Sequence, residues 1–322
     1  MYMKLIAIMC AFNEEKHIEY AISTIPKKLP GIDEIEILVI DDGFTDKTVE
    51  IAKRCGVTKI VSHKTNMGIG AAFMTGIRNS VSMGADIAVS IDADGEANTE
   101  DIPDLINPII NNQFDVVIGT RFLKNIPSNY SKTHIIGNKF FTKLVSFAAG
   151  HKFTDTQTGY RAYSRSAMKN ISVVNSFTYT QEVLLDLYFK GFRVGDAPIS
   201  FIYRGSKESK VANNVIKYSF RALSVITRSI IYHRPILTFG LFASLLSIVG
   251  IGAKIVSGYI PGINVHTTLS SGLILLGAVC FIMGLFASVV FRRQAFLEKD
   301  FRHHLQHLED SKKDNKINKL DE

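Results

Sequence analysis

Two uninterrupted apolar stretches constrain this chain more than any other feature. Residues 235–257 and 268–291, 23 and 24 residues long, carry one charged side chain between them, Lys254. A helix crosses roughly 30 Å of hydrocarbon with about 20 residues, and soluble core helices seldom stay apolar on every face for so long. The sequence therefore predicts two transmembrane helices. Lys254 lies near the end of the first, where its stem can snorkel to the headgroups. The connection, residues 258–267, has no Lys or Arg, whereas Arg228 and Arg234 precede the first span and Arg292 and Arg293 follow the second. The positive-inside rule puts the connection outside, and both the N-terminal region and the charged tail, residues 292–322, in the cytoplasm. That tail is expected as an interfacial or frayed helix.

Ahead of the spans, residues 212–234 read as an amphipathic juxtamembrane helix. Lys217, Arg221 and Arg228 share one face, and Ile216, Phe220, Leu223 and Ile230 lie largely on another, a pattern suited to a bilayer surface. Between positions 204 and 234 there are seven basic residues and one acidic one, so this collar holds most of the chain's net charge of +7. Anionic headgroups are its natural partner. No basic platform interleaved with aromatics appears, and nucleic acid is not an expected partner. Three scattered cysteines, Cys10, Cys55 and Cys280, with no CxxC, exclude a disulfide framework or a cysteine-rich zinc site. The apolar run near the N-terminus lacks a basic flank and a small-residue cleavage site, and reads as a strand.

In residues 1–211 short β-branched runs at 5–9, 35–40, 59–61, 87–91 and 115–119 alternate with helical patterns at 14–25, 46–55, 69–83 and 100–111. That alternation predicts an α/β domain with a mostly parallel sheet. Such sheets bind ligands at the carboxyl ends of their strands. The residues there are polar and charged: Ala11, Asn13 and Glu14 after the first run, Asp41 and Asp42 after the second, Asp92 and Asp94 after the fourth, and Arg121 after the fifth. Gathered carboxylates repel one another unless a cation or hydrogen-bond donors hold them ionised. Mg²⁺ or Mn²⁺ suits this set, because a hard cation keeps one or two protein carboxylates and leaves positions for water and phosphate oxygens. Asp92 and Asp94 flank the small Ala93, so an extended backbone points both the same way. Residues 66–72, NMGIGAA, open a helix with small residues and let a ligand approach backbone amides, but no GK[ST] follows and the dinucleotide fingerprint is incomplete.

Taken in order, AFNEE, VIDDGFTDKT, NMGIGAA, IDADGE, GTRF, DTQTGYRA and TQEVLLDL resemble the family-2 glycosyltransferases of A-type fold. The likeness is to the branch containing dolichyl-phosphate mannose synthases and related polyprenyl-phosphate glycosyltransferases, and it covers roughly residues 3–211. It implies that Ala11, Asn13, Glu14, Asp41 and Asp42 hold a nucleotide sugar, and that Asp92 and Asp94 bind the metal and diphosphate. It further implies that Arg121 contacts phosphate, that Gln157, Thr158, Gly159 and Arg161 form the acceptor-side motif begun by Asp155, and that Arg204, Ser209 and Lys210 belong to a basic loop. The chain departs from the family pattern at Ala11, often Pro, and at Glu96–Thr99, often Gln-His-Pro-Pro. Glu96 is either a further metal ligand or the cap of the next helix. An upstream basic residue has three candidates, Lys132, His134 and Lys139.

The reaction so implied is inverting transfer of a sugar from a nucleotide sugar to a polyprenyl phosphate. A phosphate monoester carries about −1.5 to −2 charge at pH 7, so the acceptor arrives deprotonated and needs no general base. The site must align two anions and stabilise the departing diphosphate, with Asp94, Arg121, Arg204 and Lys210 the central residues and Arg161 joining Arg121, Arg204 and Lys210 in neutralising the acceptor phosphate. Transfer to a lipid-linked or polysaccharide hydroxyl is the alternative; it requires a base, and the resemblance puts Glu182 near where hydroxyl-acceptor relatives have one, its simpler role being structural or orienting. A homo-oligomer is compatible with either.

Overall fold

The computed structural model describes residues 2–124, 130–172, 179–202, 215–259 and 267–318. The chain divides into two compact units, Met1–Ser229 and Ile230–Glu322.

The first unit is built on β1 (Lys4–Ala11), β2 (Glu34–Asp41), β3 (Lys59–Ser62), β4 (Ile87–Asp92), β5 (Val116–Thr120), β6 (Arg161–Ser164) and β7 (Val194–Pro198). They form one sheet in the order β3-β2-β1-β4-β6-β5-β7. All pairings are parallel except those of β6, which runs antiparallel to both β4 and β5. The helices between them are α1 (Ile18–Ser23), α2 (Thr48–Arg54), α3 (Ile69–Ser82), α4 (Ile102–Ile110), α5 (Lys132–Ala149), α6 (Arg165–Asn170) and α7 (Thr180–Phe189). The five strands expected from sequence are present. The additions β6 and β7 are only four and five residues long and lack an extended β-branched run.

Strand alternation sorts the core into two layers. Leu5, Ala7 and Met9 of β1 pack with Val39 and Val89 beneath α1, α2 and α4, contributing Ile18, Ala52 and Leu105. Ile6 and Ile8 face the other way and pack with Leu38 and Ile40 against Phe73 and Ile77 of α3 and Val183 of α7. With both faces covered, the central strands read as continuous apolar runs in the sequence. The approach of α3 to β1 needs a missing side chain, since a Cβ on Gly76 would lie 2.5 Å from Ile8 Cγ2.

Helix α8 (Val215–His233) follows. Its buried stripe is Ala222, Val225, Ile226 and Ser229, at i, i+3, i+4 and i+7, while Phe220 and Leu223 are exposed. In the second unit α9 (Pro235–Tyr259) and α10 (Thr267–Asn318) run antiparallel and touch through small residues. Added Cβ atoms would meet Ser270 O at Gly250, Ala243 O at Gly277 and Phe239 Cβ at Gly284, each within 3.0 Å. Close backbone approach of this kind packs helices where no hydrophobic driving force operates between them. Two segments, Pro235–Tyr259 and Thr268–Gln294, are long and apolar enough to cross a membrane, and only 11% and 17% of their apolar windows are buried. The charged segment after the second continues as helix through Asn318.

Candidate active site

The chain moves outward from β1 through β2 to β3 on one side of the sheet and resumes with β4 on the other. The β1/β4 boundary is therefore a topological switch point, where open α/β sheets form a ligand crevice. Register puts Ala11 beside Asp41 and Cys10 beside Asp92, so the strand-end residues picked from sequence line one rim.

On the β2 side, Asp41 Oδ1 accepts hydrogen bonds from the amides of Gly43 (2.9 Å) and Phe44 (2.8 Å) and closes a tight turn. Gly43 has φ +80°, and a Cβ there would lie 2.7 Å from Asn66 N. Asn13, left-handed at φ 56°, accepts from Thr45 N at 2.9 Å, and Glu14 N donates to Thr48 Oγ1 at 2.8 Å. Asp42 is engaged by the protein itself. Its oxygens accept from Met67 N (2.9 Å) and Gly68 N (2.8 Å), and Oδ1 pairs with His63 Nδ1 at 2.8 Å. Asp42, 3% exposed, thus holds the turn that leads into α3, whereas the helix itself, with Gly68 as N-cap, receives no side-chain cap, so the first amides of the NMGIGAA helix are not closed off by a carboxylate. His63, itself 2.9 Å from Thr75 Oγ1, directly follows β3 and was findable by the same strand-end rule.

On the β4 side, Asp92 opens to solvent at the strand tip yet is crowded by the mass of the domain. Desolvation, then the charge of Asp94, push its carboxyl up to about 7 against the opposing pull of Arg121, with Glu96 and Glu14 adding to the rise. Asp94 Oδ1 accepts from Glu96 N at 2.9 Å. The cap of the following helical turn is Asn98, through Glu100 N, which removes the capping role considered for Glu96. Among the described residues no group of three or more His, Cys, Asp or Glu side chains is placed to hold a metal. As two hard oxygen donors, Asp92 and Asp94 fit a cation that completes its shell with ligands other than these side chains. Gly159 walls this position: a Cβ there would lie 3.0 and 3.2 Å from the two Asp92 carboxylate oxygens and 3.1 Å from Tyr179 Oη. Tyr179 is pinned by stacking on Phe73, with centroids 4.0 Å apart.

Arg121 forms a two-point ion pair with fully buried Asp155, Nε to Oδ2 at 2.7 Å and Nη2 to Oδ1 at 3.1 Å. Asn138 Nδ2 and Gln157 N also donate to Oδ1, each at 3.1 Å. Burial alone would raise the Asp155 carboxyl, but Arg121, Asn138 and the Gln157 amide hold it below the usual carboxylate range. Arg121 also lies 5.9 Å over the Phe201 ring, which meets Tyr130 edge-on at 5.1 Å. Thr158 Oγ1 accepts from Tyr160 N within the motif. Arg161 requires a correction. It is 0% exposed, and its guanidinium donates to Thr180 O at 2.6 Å and Thr156 O at 2.9 Å. It braces the acceptor-motif loop from inside and is withdrawn from any acceptor phosphate. Glu182 is half-buried in the first turn of α7. Arg204, Ser209 and Lys210 lie outside the described residues. Asn138 and Tyr179 had no sequence signal, since they reach the site from helices whose pattern reports only burial.

The glycosyl transferase family 2 model matches residues 6–172. A UDP-N-acetylglucosamine–dolichyl-phosphate N-acetylglucosaminyltransferase from Methanococcus voltae is 30% identical over 235 residues, 66% of this chain and 90% of the relative. An undecaprenyl-phosphate mannosyltransferase from Micrococcus luteus is 27% identical over 232 residues, 66% of this chain and 90% of the relative. Among solved structures, glucosyl-3-phosphoglycerate synthase from Mycobacterium tuberculosis, in complex with Mn²⁺, UDP and phosphoglyceric acid, superposes with a TM-score of 0.55 at 17% identity. That match covers 71% of this chain and 78% of the synthase, and shares the fold.

Proposed function

The chain belongs to glycosyl transferase family 2, and we propose that it transfers a sugar, with inversion, from a nucleotide sugar to a polyprenyl phosphate at a membrane surface. The observation that carries this reading is the pairing at the switch point of an anionic floor, Asp92 and Asp94, with the guanidinium of Arg121. Such a rim suits two phosphate-bearing substrates, and the relatives named for dolichyl- and undecaprenyl-phosphate transfer point to the same acceptor class. The nucleotide half binds along Ala11, Asn13, Glu14 and Asp41. Asp92 and Asp94 hold Mg²⁺ or Mn²⁺ together with the donor diphosphate, and the Mn²⁺–UDP complex of the solved relative supports that choice. When bound, the metal offsets the charge developing on the departing nucleoside diphosphate.

The acceptor brings its own nucleophile. A phosphate oxygen attacks the anomeric carbon from the face opposite the leaving group, a new carbon–oxygen bond forms, and the bonding pair of the old one leaves with the diphosphate. Arg121, held rigid by Asp155, neutralises and orients the acceptor phosphate, with Gln157, Thr158 and Gly159 forming the adjacent loop and Arg204, Ser209 and Lys210 supplying the basic segment. The two apolar helices anchor the chain in the bilayer, with catalytic unit and tail on the cytoplasmic side, so that donor and acceptor meet at the interface.

The test is the purified full-length protein with a panel of GDP- and UDP-sugars, Mn²⁺ or Mg²⁺, and short polyprenyl phosphates. A sugar phosphodiester lipid of inverted anomeric configuration is expected, with none formed from the corresponding polyprenol or after Asp94→Ala. Equal transfer to the alcohol refutes the acceptor assignment.

A further inference from the structure

His63 follows β3 at the crevice rim and has no part in the transfer steps above. Its side chain is 10% exposed and both ring nitrogens are engaged, Nδ1 at 2.8 Å from Asp42 Oδ1 and Nε2 at 2.9 Å from Thr75 Oγ1 in α3. A carboxylate accepts, so Nδ1 carries the proton and donates. The backbone is tied to the other aspartate, with His63 N donating to Asp41 O at 2.8 Å. Asp42 Oδ1 also takes the amide of Met67, and Oδ2 that of Gly68. The segment so held crosses the tip of β2 closely, since a Cβ on Gly43 would lie 2.7 Å from both Thr65 C and Asn66 N. From Gly43 the turn runs on to Thr45, whose amide donates to Asn13 Oδ1. These segments have little stiffness of their own. Strand β3 is a four-residue edge strand paired with β2 alone, and α3 begins without a side-chain cap. Gly43 and Gly68 stand at φ +80° and +91°, where glycine supplies freedom and not rigidity.

We propose that His63 is a positioning residue for the half of the crevice formed by Asn13 and Asp41. Anchored on α3 through Thr75, its ring fixes the Asp42 carboxylate. Asp42 in turn fixes the backbone at Met67 and Gly68, and the tight crossing at Thr65 and Asn66 holds the turn from Gly43 to Thr45 in place. That turn sets where the ligand-facing side chains stand, because Asp41 Oδ1 receives the amides of Gly43 and Phe44 and Asn13 Oδ1 receives that of Thr45. His63 therefore acts on a bound ligand without touching it. That this ligand is the nucleotide of a sugar donor rests on the transfer reading above; the mechanical link from α3 to the turn does not.

Hydrogen exchange of the full-length protein in detergent, read by mass spectrometry, follows that link with no ligand present. In His63→Ala the amides of Gly43, Phe44 and Thr45 should exchange about tenfold faster, the effect of losing one hydrogen bond to a charged group. In His63→Asn the side-chain amide reaches Asp42 from the position of Nδ1 but leaves the Thr75 link unmade, and exchange should return to within about threefold of the unsubstituted protein. Affinities for UDP and GDP with Mn²⁺, measured by calorimetry, should follow the same order, falling in His63→Ala and recovering in His63→Asn, while the thermal midpoint falls in both. Should His63→Ala not fold, Thr75→Val carries the test, with exchange at the same three amides about threefold faster. Faster exchange confined to residues 63–68 overturns the proposal, since His63 would then serve its own loop alone. So does a loss at Gly43–Thr45 that His63→Asn does not reverse, or nucleotide affinity unchanged in a folded His63→Ala protein. The expected exchange pattern in a protein that binds neither UDP nor GDP counts against the transfer reading alone.

Discussion

Gly159→Ala is the sharpest perturbation of the proposed metal position. The new methyl would lie 3.0 and 3.2 Å from the Asp92 oxygens and 3.1 Å from Tyr179 Oη, closer than ordinary carbon–oxygen contact, so one neighbour must yield. Tyr179 is the stiffer of the two. Its ring stacks on Phe73 at 4.0 Å with an interplanar angle of 13°, and its hydroxyl lies 3.4 Å from Ser90 Oγ in the core. Asp92, at an open strand tip, rotates instead. The substitution therefore acts on the carboxylate's direction more than on the fold, whose overpacking cost is about 1–3 kcal/mol. Misdirecting a metal ligand through a neighbour typically lowers metal affinity about 10- to 100-fold.

Mn²⁺ titrations of the full-length protein with saturating UDP or GDP, followed by calorimetry or by the electron paramagnetic resonance of free Mn²⁺, measure that loss directly. Gly137→Ala, where an added Cβ meets nothing within 4 Å, is the control and should bind as the unsubstituted protein does. Wild-type Mn²⁺ affinity in a folded Gly159→Ala protein would refute the assignment of Asp92 to the metal.

The Asp92 carboxyl, raised to about 7, makes metal binding a competition with a proton. Mn²⁺ affinity should fall about tenfold per pH unit below that value and level off above it, and Asp92→Asn should abolish the slope. The same raised value makes the metal-free fold gain stability as pH drops from about 7 toward the ordinary carboxylate value near 4, visible as a rise in thermal midpoint. Asp155→Ala leaves Arg121 without its buried counter-ion and should cost about 3–5 kcal/mol in denaturation. Because the folded value of Asp155 is depressed, its stabilisation is present above the ordinary carboxylate range and disappears as pH falls through the folded value. Arg161→Met leaves the carbonyls of Thr156 and Thr180 without these donors, at about 1–3 kcal/mol each. Stability should fall while the KM for lipid phosphate stays within error, and a selective rise in that KM would return Arg161 to the acceptor.

How far the sequence could be read follows from what each signal measures. Buried parallel strands such as IAVSI announce themselves, because both faces must be apolar and their tips carry the polar residues. Asp41, Asp92 and Arg121 were therefore legible as one rim before any coordinates. The antiparallel β6 was not, since a four-residue strand clamped between two others draws its stability from neighbours rather than from its own composition. Side-chain purpose was the harder step. Asp41 and Asp42 are adjacent and chemically identical, yet one closes its own turn while the other holds the amides of Met67 and Gly68 that lead into α3, a division set by where residues 65–68 cross the strand tip.

The acceptor-motif loop shows why the right segment can be found with the wrong atoms. Its first residue, Asp155, is bound to Arg121, and Gly159 lies against Asp92. Tyr160 O accepts from Gly119 N at the tip of β5, and Arg161 anchors the loop's own backbone from beneath. The loop is therefore a strut between the Asp92 carboxylate on β4 and the Arg121 guanidinium beyond β5. A strut of this kind restricts every side chain in it, including those that touch no ligand, because a shift at either end moves the other. Arg161 belongs to the motif for that reason: two of its hydrogen bonds go to the backbone carbonyls of Thr180 and Thr156, and on the proposed reading that bracing keeps in place the loop that joins Asp92 to Arg121.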